Sequence, residues 1–510
     1  MESMDQTGIE FNLQTLLDQT KAMTRCVEEA VQCRRATHEV EENLFRRVLE
    51  MGHQALGMFF RLSGDGDEGE RVRLSEGREL RRLEAPHTRA YRSIFGEFEL
   101  SRVVYGTREG QKIEYVPLDE RLQLPQSKFS HLLNDWNQSL VMDTPYAWVD
   151  ATLARIFGFK QSVHSLERSN RQLSEDVSAF WETLTVPPAE AEGAIMVCSA
   201  DGKGVPIRGE PETPVMADPP RKADPKPKRK KISLVGSVYT VDAFVRSPRA
   251  VLEALFETPP ERTEPAADRP KPCFKRVRAS LIRDAGETSK PSYDEIFGWI
   301  AHEINTRNPA AQQPIILLMD GQDSLWNAGL AHLPEDQFQV TEILDLLHVC
   351  SYVWDAAHLF HPTGSAKAQG DAKRLLRQIL QGEVNAVIRA LRRKGAHAKL
   401  CGKRAQDLVG ICGYFETHSH RMAYDEYLAA GYPIASGVIE GACRCVVKDR
   451  MERSGMRWVL KGAHAMLGLR SIHLSGLWNE FMRFHTDREC ERLYPNRAAN
   501  DAYMDLPMVA

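Results

Sequence analysis

The chain has 510 residues, 42% hydrophobic and 27% charged, a globular composition whose length favours roughly two to four domains. Its formal net charge of −4 neither supports nor excludes a nucleic-acid partner, so local clustering has to decide. The 10 cysteines are scattered, with no CxxC and no His/Cys pair at zinc-finger spacing; there is no basic-then-apolar leader and no apolar run of membrane-spanning length, so a cytoplasmic protein with reduced thiols is expected.

From about Ile9 to Arg61 apolar residues recur at helical spacing, as in Val40, Leu44, Val48, Met51 and Ala55. Long helices follow, read as an amphipathic pair packing on the rest of the protein because no strict heptad persists. The acidic loop SGDGDEGE (63–70) ends them. Between Tyr91 and Tyr115 the period changes to that of strands, and FGEFELSRVVYG predicts a small hairpin turning at Gly96-Glu97. After PLDERLQLP the chain is helical again. Thr144-Pro145 starts a helix that stops at Gly158, and Ser162 caps the next, VHSLERSNRQLSEDVSAFW. Two helices across so short a turn suit a helix-turn-helix, the second offering His164, Arg168, Asn170 and Arg171 to DNA, although the same α-hairpin is common in domains that bind nothing. LTVPPAEAEGA (184–194) reads as a linker.

A strand over Ile195–Ser199 leads to Asp201, followed by Gly202 and by Lys203, a candidate for neutralising a phosphate. RKADPKPKRKK (221–231), with seven basic residues of eleven including Lys228, Arg229, Lys230 and Lys231, is either a solvated loop or a nucleic-acid contact. ISLVGSVYTVDAFV (232–245) is the returning strand, 258–271 a loop, KRVRASLI a strand, Asp294 to Arg307 a helix, and PIILLMD (314–320) a short strand ending in Asp320. FQVTEILDLLHV supplies a last strand or the start of a helix and contains Asp345-Leu-Leu-His348. Residues 364–430 are helical and basic, through Arg374, Arg377, Arg389, Arg392, Arg393 and Lys394. The separation of Asp320 from Glu440 far exceeds an ordinary connection, which requires a helical insertion. The last helix resumes at Ser436, breaks at Ser454-Gly455 and runs on to Phe481; 486–510 reads as a surface tail.

Asp201, Asp320 and Glu440 are the acids that two strands and a helix deliver. Three such carboxylates can hold two Mg2+ ions, one activating an attacking oxygen and one stabilising the departing 3′ oxygen in an in-line displacement at phosphorus. Asp-Gly pairs are also common turn dipeptides, so each aspartate alone is a weak signal. At about 100° per residue, Asp449 falls roughly 180° from Glu440 on an ideal helix, while Arg444 and Lys448 fall about 40° and 80° from it and are predicted to meet phosphates. Arg457 and Trp458 follow as DNA-contact candidates, with core packing the alternative for Trp458, as for Trp326.

The stretches FGEFELSRVVYG, PLDERLQLP, SADGKGVPI, LMDGQDSLW, ILDLLHVCSYVWDAA and SGVIEGACRCVVKDRMERSGMRW together resemble DDE-type transposases of bacterial insertion sequences, most closely the ISKra group. The resemblance implies a multidomain chain mixing α/β and α parts: a ribonuclease H-like catalytic domain with a helical insertion, preceded by a mainly helical DNA-binding region with a small β-hairpin. The element pattern along the chain sets the boundaries at 1–85, 86–183, 195–345, 346–430, 431–485 and 486–510. The resemblance also implies Asp201, Asp320 and Glu440 as catalytic residues and as ligands of two Mg2+ ions, for which Mn2+ can substitute. His348 is implied near the site, where an ordinary core histidine is the alternative. The implied partners are double-stranded DNA, meaning terminal inverted repeats and target, and further copies of the chain, at least a dimer. The implied place is the bacterial cytoplasm, with the nucleoid and no membrane. Ser436 departs from transposases that carry an arginine four residues before the glutamate. Two other readings are a catalytically silent DNA-binding descendant, against which three intact acids argue, and a metal-dependent nuclease without strand transfer.

Overall fold

A computed structural model describes residues 2–108, 113–208, 230–256, 269–281, 292–453 and 455–495, side chains of 2–13 and 292 excepted. The chain divides into two compact units, Met1–Ser169 with Asn479–Ala510, and Asn170–Trp478.

The first unit opens with helices α1 (Glu2–Gln32) and α2 (Thr37–Leu62), which pack together. Five short strands follow: β1 (Arg71–Arg73), β2 (Glu79–Arg82), β3 (His87–Ser93), β4 (Gly96–Arg102) and β5 (Tyr105–Gly106). The expected hairpin is β3–β4, but Ser93 pairs with Gly96, so the turn is Ile94-Phe95 and Gly96 opens the second strand. Gly96 has φ +123°, a conformation that costs glycine least. Helix α2 docks on this hairpin through aromatic rings, with Phe60 edge-on to Phe98 at 5.2 Å and His53 stacked on it at 4.3 Å. Helices α3 (Pro117–Arg121), α4 (His131–Asp143), α5 (Tyr146–Phe157) and α6 (Val163–Ser174) complete the order, α6 running into the second unit. Gly158 ends α5 in the left-handed conformation, and Ser162 Oγ accepts from Ser165 N at 3.3 Å, as the sequence suggests.

Of the expected tail, only the first residues are described, and they are not loose: helix α19 (Trp478–Leu493) continues into them, and within the first unit Glu489 accepts from Gln126 N at 3.2 Å while the Tyr494 hydroxyl donates to Leu124 O at 2.5 Å. The rest of that stretch, 496–510, lies outside the described residues. Buried His485 and Glu489 are the anchors that a polar-looking stretch conceals.

The second unit holds α7 (Val177–Thr183), then β6 (Ile195–Pro206), β7 (Lys230–Val241), α8 (Pro248–Phe256), β8 (Cys273–Leu281), α9 (Ser292–Arg307), β9 (Ile315–Met319), α10 (Asp323–His332) and β10 (Val340–Leu344). The five strands from β6 on form one sheet in the order β10-β9-β6-β7-β8. Strands β6, β7 and β8 pair antiparallel, whereas β6, β9 and β10 run parallel. Strand β6 does not stop at Ser199. It continues past Asp201 because β7 pairs with it throughout, from Ile195↔Val241 to Pro206↔Lys230, and Gly202 and Gly204 are carried inside the ladder.

Helices α11 (Leu346–Phe360), α12 (Ala366–Leu380), α13 (Val384–His397), α14 (Gly402–His418) and α15 (Tyr424–Ala429) form the expected helical stretch. Their apolar faces share one core with sheet residues Ile195, Val197, Ile316, Leu318 and Ile343. Elsewhere the sheet meets α9 closely: a Cβ on Gly236 would lie 2.6 Å from Ile296, so only glycine admits this approach. The presumed linker 184–194 is anchored too, since Glu192 makes a bidentate pair with Arg307 at 2.8 Å on both oxygens, with both side chains almost wholly buried. After α15 come α16 (Gly437–Cys443), a π-helical turn (Arg444–Lys448), α17 (Asp449–Met451) and α18 (Leu460–Leu474). Among the described residues no helix is long and apolar enough to cross a membrane.

Candidate active site

Two aspartates reach one end of the sheet in register. Strands β6 and β9 are parallel neighbours with Cys198 opposite Leu317, and Asp201 and Asp320 each stand three residues beyond that pair. Asp320 follows β9 directly, in a turn where its Oδ1 accepts from Gln322 N at 3.0 Å and its carbonyl accepts from the Trp326 indole at 2.6 Å. Strand β10 ends beside them. Asp345 caps α11 there, with its backbone N–H donating to Met319 O at 2.9 Å, one residue before Asp320.

The loop after α15 brings in the third element. Leu346 N donates to Ile434 O at 2.9 Å, Ser436 N donates to Asp345 Oδ1 at 2.8 Å, and Glu440 lies in the first turn of α16. The Cys443 thiol lies 3.8 Å from Asp201 O, which puts α16 over β6. One ligand atom each from Asp345, His348 and Glu440 fall within 4.8 Å of one another.

The electrostatics are those of crowded acids. Burial pushes the Asp320 carboxyl above its usual range, the Gln322 N–H opposes this, and the charge of Asp201 adds to it. Partial burial likewise pushes Glu440 up, followed by the charges of Asp345 and, in the same sense, Asp201. Asp345 behaves oppositely. Burial raises it, but the hydrogen bonds from His348 at 2.7 Å and from Ser436 outweigh burial and hold it low. That same bond to Asp345 raises His348, against burial, with Asp345, Asp320 and Glu440 all favouring the imidazolium. Carboxylates crowded in this way are what a site for a hard cation requires.

Asp345 is the residue that sequence reading passed over. Its signal was the D-x-x-H spacing, weighed there only for the histidine, whereas the aspartate is completely buried and takes the larger number of bonds.

The remaining candidates divide. Lys203 lies on β6 opposite Ser233, half-buried. Arg444 and Lys448 are exposed, but the π turn breaks the 100° reckoning used to place them, and Arg444 Nε lies 3.5 Å from Asp449. Arg457 is exposed. Trp458 is not available for stacking on bases: it is 8% exposed, donates from its indole to Met451 O at 3.1 Å and lies under the Arg450 guanidinium. Trp326, 1% exposed, is core as well. On α6, His164 and Arg168 face solvent and Arg171 is half-buried, whereas Asn170 is only 1% exposed and points inward, so the helix offers fewer polar tips to DNA than expected. Lys228 and Arg229 lie outside the described residues; Lys230 pairs with Glu452 at 2.6 Å, and Lys231 is half-buried on β7.

No family model matches the chain, and no curated protein is found similar to it. Among solved structures, a chain of the Drosophila P element transposase strand transfer complex aligns over 72% of this chain and 86% of its own, at 11% identity and a TM-score of 0.26. A superposition that loose carries no argument about shape or activity.

Proposed function

We propose that the protein is a DDE-type transposase that binds the terminal inverted repeats of its insertion sequence and carries out Mg2+-dependent end cleavage and strand transfer. The observation that carries the reading is the in-register delivery of Asp201 and Asp320 to one sheet end, with Glu440 close enough for the charge of Asp201 to act on it. Three antiparallel strands followed by two parallel ones, with a helix before the fourth, support a ribonuclease H-like domain around these acids.

Asp201, Asp320 and Glu440 would hold two Mg2+ ions, with Mn2+ a substitute, and the donor set fits: carboxylate oxygens, mutually repelling, at an accessible rim. When bound, the ions supply the charge that activates the attacking oxygen and stabilises the departing 3′ oxygen. The chain's own residues do the rest. Asp201 and Asp320 fix the floor, Glu440 closes over it from the helix, and His348, held by Asp345, stands among the acids. Lys203, Arg444 and Lys448 meet phosphates of the bound duplex, and Arg168, Arg171, Lys230, Lys231 and Arg457 contact it elsewhere. Water attacks in cleavage and a DNA 3′-OH in strand transfer, so no side-chain nucleophile is needed. Bringing two ends together calls for at least a dimer.

Incubation of the purified protein with labelled terminal DNA and Mg2+ tests the reading. Joined products support it, cut products alone indicate a nuclease, and a bound but unchanged duplex indicates a silent DNA-binding protein.

A further inference from the structure

The third acid arrives from far along the chain: Ser436, at the start of its helix, is 91 residues beyond Asp345. Something has to hold that late segment against the sheet with the accuracy that metal ligation demands, since ligand positions tolerate errors of only a few tenths of an ångström. A run of three hydrogen bonds does this. Asp345 N donates to Met319 O at 2.9 Å, Ser436 N donates to Asp345 Oδ1 at 2.8 Å, and Glu440 N donates to Ser436 O at 3.0 Å. The run begins one residue before Asp320 and ends on Glu440.

Further hydrogen bonds of the Asp345 side chain serve the same junction. Its Oδ1 also accepts from Leu347 N at 3.3 Å, capping α11, and its Oδ2 accepts from His348 Nδ1 at 2.7 Å. Both oxygens are therefore engaged, in a residue with no exposed surface. The β10 edge is closed by the segment leading to Ser436, through the Tyr424 hydroxyl on Leu344 O at 2.7 Å and the Tyr427 hydroxyl on Glu342 O at 3.1 Å. Leu346 N on Ile434 O adds a parallel tie.

We propose that Asp345 is a positioning residue, the bracket that fixes the Glu440 helix and the His348 ring to the sheet end, and not a fourth carboxylate ligand. This rests on the reading of Asp201, Asp320 and Glu440 as metal ligands. It assigns Ser436 a part as well, since its N–H and carbonyl are the middle of the run. A carboxylate whose two oxygens already accept three hydrogen bonds has little left to offer a cation, but is well placed to orient what does.

The test is Mn2+ titration of the full-length protein, followed by the loss of free-ion paramagnetic signal, with melting in chelator as a folding control. Asp345→Asn keeps an oxygen that accepts from Ser436 N and is expected to bind Mn2+ within about tenfold of wild type, the lower edge of what outer-shell changes cost. Asp345→Ala loses the bracket and is expected to weaken binding by about a hundredfold, the upper edge. Asp320→Asn is the ligand-loss control. Asp345→Asn binding as poorly as Asp320→Asn would make Asp345 a ligand and overturn the proposal; so would wild-type affinity in Asp345→Ala. If Asp345→Ala does not fold, Asp345→Asn alone still decides. Wild-type protein indifferent to Asp320→Asn would instead overturn the underlying assignment of the ligands, a separate result.

Discussion

Asp320→Asn removes one negative charge from the sheet end while keeping the Oδ1 that accepts from Gln322 N. In the metal-free protein that charge is unfavourable, because burial first, and then Asp201, raise the carboxyl above its usual range. A carboxyl whose affinity for protons is higher when folded destabilises the fold once it must ionise, so the metal-free variant is expected to melt at the wild-type temperature or slightly above it at neutral pH. With Mg2+ the sign reverses. An ion that binds only the folded state stabilises it by about 2.7 kcal/mol at a hundredfold excess over Kd. For a chain of 510 residues, at about 2.1 cal/mol/K of unfolding entropy per residue, that corresponds to roughly 2–3 °C. The variant should lose this increment, and cleavage with it, while end binding persists because remote phosphate contacts are intact. Thermal melts in chelator and in excess Mg2+, run beside a cleavage assay, measure both. An unchanged Mg2+ increment, with cleavage within about tenfold of wild type, would refute the reasoning.

Glu440→Gln should abolish metal-dependent cleavage and Asp449→Asn should spare it; the reverse pattern in folded proteins would move the third acid to Asp449. Glu192→Ala leaves the buried Arg307 with Glu303, at 3.5 Å, as its remaining ion-pair partner among the described residues, and should destabilise the protein by about 3–5 kcal/mol in chemical denaturation. The raised His348 makes a contribution to stability that is fully present below its unfolded value of about 6.5 and lost as pH rises through the higher folded value. Wild type minus His348→Gln melting differences, taken in chelator, should therefore shrink from pH 5.5 to 8.5; a growing difference would contradict this. Replacing the basic residues of 221–231 by Ser should flatten the salt dependence of DNA binding, and an unchanged slope would mean that the run is only solvated.

The strands were legible where apolar runs end in acids. PIILLMD gives β9 and Asp320, and ILDLLHV resolves into both of its alternatives, β10 and then α11, because Asp345 is strand end and helix cap at once. Strand β6 outruns its expected end at Ser199 because β7, a partner of equal length, pairs with it on through Gly202 and Gly204. Nothing local in RCVVK announces a π turn, so the 100° step assumed from Glu440 as far as Lys448 does not hold through it. Asn170 and Trp458 show the limit of residue type as a guide, because a polar tip and an aromatic ring suit a DNA surface and a core equally until burial is known. The bond from Ser436 to Asp345 joins positions too distant in sequence for any spacing rule to reach.

Which side chains hold the metal is measured most directly by anomalous scattering from Mn2+ in crystals of the protein bound to a terminal DNA end. Manganese is expected in contact with Asp201, Asp320 and Glu440 and with the scissile phosphate, while Asp345 keeps its bonds to Ser436 and His348. Manganese confined to Asp345, His348 and Glu440, away from Asp201 and Asp320, would contradict this assignment.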